Sequence, residues 1–140
     1  AMAAPVQLRN AACAIAALRT LDAHIAPRAW ARGIAEVRVE GRLQRMALGG
    51  VDVVVDVGHN PQAARALAEW LALQPARPTV AVYGALTDKD APAVVRELAA
   101  CVQAWHLVGT LDAGPRGGSA QALALRLAGT VAAEGTPHDE

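Results

Sequence analysis

From Val6 to Leu21 apolar residues recur at helical spacing, with Leu8, Cys13 or Ala12, Ile15 and Leu18 on adjoining turns, and polar breaks fall at Asn10, Arg19 and Thr20. The spacing predicts a helix there and a second, short one from Arg28 to Val37, after Pro27. Val39-Glu40-Gly41-Arg42 breaks the pattern and places a boundary near Glu40. Leu43 to Leu48, Gly49-Gly50 and Val51 to Val57 then read as a hairpin, because paired glycines suit the positive backbone angles of a tight connection. The second run is nearly continuous valine, which is expected of a parallel strand covered on both faces.

That run ends in Gly58-His59-Asn60-Pro61, a helix start with a mechanism. The Asn60 side chain can accept an otherwise unpaired backbone N–H, and Pro61 at the first helical position has no N–H to satisfy. A helix from Gln62 to Leu73 follows, closed before Pro75. Next come a strand over Thr79 to Tyr83, a helix from Asp90 and Pro92 to about Val102, a strand over Ala104 to Val108, and a helix capped by Ser119 and running to Leu127. The tail from Gly135 to Glu140 reads as frayed surface. Alternating strands and helices at this spacing imply an α/β, Rossmann-like three-layer fold on a parallel sheet, with an antiparallel hairpin at its edge. Ligands of such sheets bind beyond the carboxyl ends of the strands, which directs attention to Gly58-His59-Asn60, Gly84 to Asp90 and Gly109 to Ser119.

Composition narrows the class. A chain of 140 residues with 54% hydrophobic and 19% charged residues can bury one core, so disorder is excluded. An alanine-dominated apolar content with three Trp, one Tyr and no Phe favours helices over a β-sandwich. Thirteen basic and thirteen acidic side chains cancel, so no overall field draws nucleic acid or an anionic membrane to the chain. No apolar run approaches the roughly 18 residues of a spanning helix, and Ala1-Met2-Ala3-Ala4-Pro5 lacks the features of a signal peptide. Cys13 and Cys101 have neither disulfide nor thiolate-metal spacing and read as reduced, buried thiols of a cytoplasmic protein. Ala1 before Met2 looks like a remnant of cloning, which suggests an excised piece of a longer chain.

Several segments carry candidate chemistry, each beside a plainer reading. In Asp56-Val57-Gly58-His59-Asn60-Pro61, an acid at a strand end, a glycine, a histidine and a helix start could hold a ribose hydroxyl, a phosphate or a carboxylate, or Asp56 and His59 could satisfy turn hydrogen bonds. Arg42 could present its planar fork to phosphate, or be solvated surface. Gly114-Pro115-Arg116-Gly117-Gly118-Ser119 suits a small carboxylate or phosphate, or is a polar loop ending in a helix cap. Asp88-Lys89-Asp90 could place a cation near phosphate, or form a solvated turn with a cap. His24, His106 and His138 have no ligand-spaced partner, so no metal site is expected from this chain alone. A G-x-x-x-x-G-K-[ST] phosphate loop and a G-x-G-x-x-G fingerprint are both absent from the sequence.

In collinear order, Asn10-Ala11-Ala12, Gly41-Arg42-Leu43-Gln44, Asp56-Val57-Gly58-His59-Asn60-Pro61, Gly84-Ala85-Leu86-Thr87-Asp88-Lys89-Asp90 and Pro115-Arg116-Gly117-Gly118-Ser119 resemble the carboxyl-terminal part of the bifunctional dihydrofolate synthase/folylpolyglutamate synthase family, within the Mur ligases. The resemblance implies an ATP-dependent ligase that phosphorylates the carboxylate of a pteroate or folate and then joins L-glutamate to it as an amide. It implies that Arg42 contacts the ATP phosphates, Asp56 holds the ribose, Asn60 lies on the ATP side and His59, as a catalytic residue, orients nucleotide and glutamate. Ser119 and Arg116 would face glutamate, and Lys89 is family-like without an assigned role.

ATP and Mg2+ would be held mainly by an amino-terminal domain that brings the phosphate loop and the pterin pocket. Residues 1–40 would be the closing helices of that domain plus a hinge, and 41–140 the carboxyl-terminal ligase domain without its final strands. The parent is then expected to be a cytoplasmic monomer, and the fragment alone inactive and prone to self-association through an open sheet edge. A muramyl ligase domain and a non-catalytic nucleotide-binding or interaction module are the alternatives.

Overall fold

A computed structural model describes residues 5–21 and 24–139, which form two compact units divided after Val57. The first unit holds helices α1 (Pro5–Thr20) and α2 (Pro27–Glu36) and strands β1 (Gln44–Leu48) and β2 (Val51–Val55). In α1, Ile15 is half-buried, whereas Leu8, Leu18 and Cys13 are exposed. The expectation of a buried Cys13 thiol is therefore corrected: alanine gives α1 its helix propensity but few large side chains whose burial would draw the cysteine inward. Cys101 is half-buried and, like Cys13, unbridged.

The hairpin forms with a two-residue turn. Gly49 and Gly50 take φ of 57° and 82°, as a type I′ turn requires, and Leu48 pairs with Val51 across it. The expectation of a parallel, doubly covered valine strand is corrected here. β2 pairs antiparallel with β1, in a sheet of two strands, and Val51, Val55 and Val57 are exposed. The local reason is the glycine pair, which folds β2 back onto β1 before any crossover intervenes.

The second unit holds α3 (Pro61–Ala72), β3 (Val80–Tyr83), α4 (Ala91–Leu98), β4 (Ala104–Val108), a short 3-10 segment (Leu111–Arg116), α5 (Ala120–Arg126) and β5 (Thr136–His138). Each α-helix starts on a capping side chain: Asn60 accepts from the Ala63 N–H at 2.8 Å, Asp90 from Ala93 at 3.0 Å and Ser119 from Ala122 at 3.1 Å. Replacing Asn60 by alanine is expected to cost about 1 kcal/mol, read as a lower midpoint in chemical denaturation; an unchanged midpoint would remove the cap from the helix energetics.

β3, β4 and β5 form a parallel sheet in that order, with Val82 opposite His106 and His106 opposite Thr136. A three-stranded parallel sheet and an antiparallel pair are thus present, but the third parallel strand is β5 rather than β2. The expectation of a frayed tail is corrected with it. The Gly109 N–H donates to the His138 carbonyl at 3.0 Å, and Asp139 accepts from the Ala120 N–H at 2.6 Å, so backbone and side chain both pin the segment. Pro137 is tolerated because β5 is an edge strand.

One sheet face carries Ala81, Tyr83, Trp105 and Leu107 into a core shared with Ala64 of α3, Val94, Val95 and Leu98 of α4, and Leu123 and Leu127 at α5. The opposite face carries Val80 and Val82, both exposed, so in this unit the described residues supply two layers, one of helices and one of strands. Arg65 on α3 grips Glu97 on α4 through two hydrogen bonds of 3.1 and 2.8 Å. That guanidinium holds the Glu97 carboxyl below its ordinary range. No helix among the described residues is long and apolar enough to cross a membrane.

Candidate functional site

Two constructions stand at strand ends, one in each unit: the first where the amino end of β1 meets the carboxyl end of β2, the second beyond the carboxyl ends of β3 and β4. In the first, Gly41-Arg42-Leu43-Gln44 is a tight turn in which Gly41 (φ 64°) and Leu43 (φ 46°) are both left-handed. A side chain at Gly41 would strike Val57, its Cβ falling 2.8 Å from the Val57 Cγ1. Leu43 pays the steric penalty that a branched residue meets in this region, about 1–2 kcal/mol, so surrounding bonds must impose it. They do: the Gly41 N–H donates to the Gln44 side chain at 3.0 Å, the Val57 N–H to the Gly41 carbonyl at 2.7 Å, and the Leu43 N–H to Asp56 Oδ2 at 2.9 Å. Asp56 Oδ1 lies 3.7 Å from Arg42 Nη1, with the Asp56 side chain largely buried and that of Arg42 43% exposed.

Arg42 and Asp56 are therefore brought together, and Asp56 makes the turn hydrogen bond that was its plainer reading. It also steers the one cation that the turn presents. The left-handed Leu43 went unnoticed in the sequence, where a leucine signals burial rather than positive φ.

In the second unit, His59 is exposed at the entry to α3, and the Asn60 side-chain oxygen is engaged in the cap already described. The loops after β3 and β4 meet each other. Thr87 donates to the Arg116 carbonyl from both its N–H (2.9 Å) and its hydroxyl (3.2 Å), and the Thr110 N–H donates to the Gly118 carbonyl at 2.8 Å. Gly117 has no room for a side chain, since a Cβ would sit 2.2 Å from the Thr110 carbonyl oxygen. Asp88 stands between Lys89 (3.1 Å) and Arg116 (3.5 Å). The Lys89 contact above all, with help from Arg116, holds its carboxyl below the usual range. Lys89 and Arg116, far apart in sequence, are thus two cations of one cluster, and Asp90 is committed to capping α4. Ser119 caps α5, beside the Ala120 amide that Asp139 already occupies.

Tyr83, the last residue of β3, leads into this cluster and packs edge-on against Trp105, ring centroids 5.9 Å apart. Burial pushes its phenol up to about 12, against a lowering by Arg126 and with a smaller rise from Asp90. The neutral phenol is the form the fold prefers. Its stabilising effect is complete below the ordinary tyrosine value of about 10 and is lost as pH rises through about 12. With one tyrosine in the chain, absorbance at 295 nm should show a single ionisation displaced well above the free value, and an ordinary midpoint would place Tyr83 in solvent.

His106 and His138 are brought together as well, with Nδ1 and Nε2 3.1 Å apart across β4 and β5. Linear spacing hid this pair, because only the parallel pairing of β5 creates it. Among the described residues, no three His, Cys, Asp or Glu converge as a metal-holding group.

Residues 41–139 match the family model described as Mur ligase, glutamate ligase domain. The chain is 36% identical over 140 residues to the dihydrofolate synthase/folylpolyglutamate synthase of Haemophilus influenzae, covering 87% of this chain and 32% of that protein. Escherichia coli FolC, solved in complex with DHPP and ADP, superposes with a TM-score of 0.77 at 34% identity over 94% of this chain and 30% of its own. A bifunctional folylpolyglutamate synthase/dihydrofolate synthase with Mn, AMPPNP and L-glutamate bound gives a TM-score of 0.77 at 30% identity, over 95% and 31%. The chain thus spans about a third of the length of these relatives.

Proposed function

Because the chain belongs to the Mur ligase, glutamate ligase domain family, we propose that it is the glutamate-accepting part of an ATP-dependent ligase that extends dihydropteroate or reduced folates by L-glutamate. The observation that carries this reading is the collinear match of residues 41–139, together with a structural relative that holds AMPPNP, Mn and L-glutamate. In the proposed reaction, the γ-phosphoryl group of ATP passes to a carboxylate oxygen of the pteroate and ADP departs. The glutamate nitrogen then attacks that acyl carbon, and phosphate and a proton leave.

The chain's own residues fit a supporting share of this chemistry. Arg42, held at the tip of a strained turn, offsets charge on the nucleotide phosphates, and Asp56 orients that turn and faces the ribose. His59 and Asn60, at the start of α3, lie on the nucleotide and glutamate side. Arg116 and Ser119 receive the glutamate carboxylates, and Lys89 adds a second cation through Asp88. The donor set suits anions and lacks a metal-holding cluster among the described residues. We assign Mg2+, most ATP contacts and the pterin pocket to an amino-terminal domain, the principal partner of this one, because the matched relatives are about three times as long as this chain. A cytoplasmic setting and a monomeric parent accord with such an enzyme.

The test is ADP release by the full-length parent with L-glutamate and, separately, dihydropteroate and tetrahydrofolate. Release with either acceptor supports the reading and names the branch. No release with either would refute it.

A further inference from the structure

Arg126 is the last residue of α5 and belongs to none of the motifs that mark the family resemblance. It is half-buried, and its guanidinium is turned to the loop after β3. Nη1 donates to the Leu86 carbonyl at 3.3 Å, and Nη2 donates to the Lys89 carbonyl. These carbonyls end one reverse turn, closed by the Lys89 N–H donating to the Leu86 carbonyl at 3.1 Å. The two central residues of the turn are Thr87 and Asp88. Thr87 is bonded to the Arg116 carbonyl, and the Asp88 carboxylate bridges the Lys89 and Arg116 cations. A planar fork with donors on two nitrogens can hold two carbonyls three residues apart, whereas an ammonium is a single point of charge.

We propose that Arg126 is a positioning residue: by stapling both ends of the Leu86–Lys89 turn it sets where Lys89 and Arg116 stand to receive the carboxylates of the incoming amino acid. The inference rests on the proposed function for what those cations bind, and on the geometry alone for the staple. Without the guanidinium, the Leu86 carbonyl keeps only the Lys89 N–H and the Lys89 carbonyl only the Ala91 N–H at 2.9 Å, and the turn, no longer tied to α5, samples other conformations. The cations then lose their common placement, although the core beneath, built on Leu123 and Leu127, is untouched.

The experiment has two parts. In the full-length enzyme, Arg126→Ala should raise the KM for L-glutamate about tenfold while the KM for ATP and kcat change less than about twofold. Arg126→Lys should recover only part of the loss. Leu123→Ala, which loosens α5 from below, should lower the melting temperature at least as much and leave the glutamate KM in place. An unchanged glutamate KM in Arg126→Ala, or an equal rise in Leu123→Ala, would overturn the proposal.

In the 140-residue chain itself, amide exchange at Lys89 should quicken about tenfold in Arg126→Ala under native conditions, ahead of global opening. Unaltered protection there would remove the staple. Absence of ADP release by the unsubstituted enzyme would instead refute the proposed function, and the exchange measurement would still decide whether Arg126 holds the turn.

Discussion

Leu107→Ala is expected to cost about 2–5 kcal/mol and to unfold the second unit far below the denaturant concentration that the unsubstituted chain tolerates. Leu107 is fully buried in the central strand of the sheet, in one core cluster with Val94, Val95, Leu98, Leu123 and Leu127. A close-packed core relaxes only partly into the space a leucine leaves, so the cavity term should add to the lost transfer energy. Gly135 packs directly over it, a Cβ there falling 3.1 Å from the Leu107 Cγ, so the turn entering β5 would lose its floor as well. Domains are stable by only about 5–15 kcal/mol, which makes this one truncation comparable to a large part of the total. Urea unfolding followed by the fluorescence of Trp70 and Trp105 measures it. Val82→Ala, on the exposed face of the same sheet, should move the midpoint little, and equal losses at the two positions would mean that the core lies elsewhere.

What the sequence disclosed depended on how local the cause was. Asn60-Pro61, Asp90 with Pro92, and Ser119 each start a helix through atoms within three residues, and all three caps form as their residue types predict. Gly49-Gly50 closes a hairpin for an equally local reason. The valines of β2 carried two signals, a tight turn before them and a doubly buried composition within them. The turn prevailed, because it fixes register through backbone angles, whereas composition states only a preference for burial. β5 was illegible. Three residues with a proline have no period to read, and the strand exists because Leu107 and His106 present it with a template. The His106–His138 pair and the meeting of Lys89 with Arg116 were hidden for the same reason, being products of strand order.

Within the two candidate clusters, the residue types at Arg42 and Asp56, and at Lys89 and Arg116, were visible and the meeting within each was not. The sequence offered Asp56 as a ribose ligand or a turn acceptor, and the geometry shows that the second role is present without excluding the first. Arg126 and Leu43 gave no signal at all, since one works on carbonyls distant in sequence and the other through its backbone.

Arg42→Ala in the full-length parent is expected to cut ADP release about tenfold or more, a loss above roughly 1.4 kcal/mol, with the melting temperature nearly unchanged. The separation follows from how the turn is held. Bonds from the Gly41 N–H to Gln44, from the Leu43 N–H to Asp56 and from the Val57 N–H to the Gly41 carbonyl fasten it through the backbone and the Gln44 and Asp56 side chains. The 3.7 Å approach to a partly solvated guanidinium contributes little to folding. At a phosphoryl-transfer centre, where charge gathers as the bond breaks, one cation is worth far more. His59→Ala should behave likewise, since His59 is exposed and outside the core. Asp56→Ala provides the contrast: it strips the Leu43 amide of its acceptor and frees the left-handed turn to relax, so turnover and melting temperature should fall together. Full turnover in Arg42→Ala would take this turn out of the nucleotide site, while a joint loss of activity and stability would make Arg42 a structural residue.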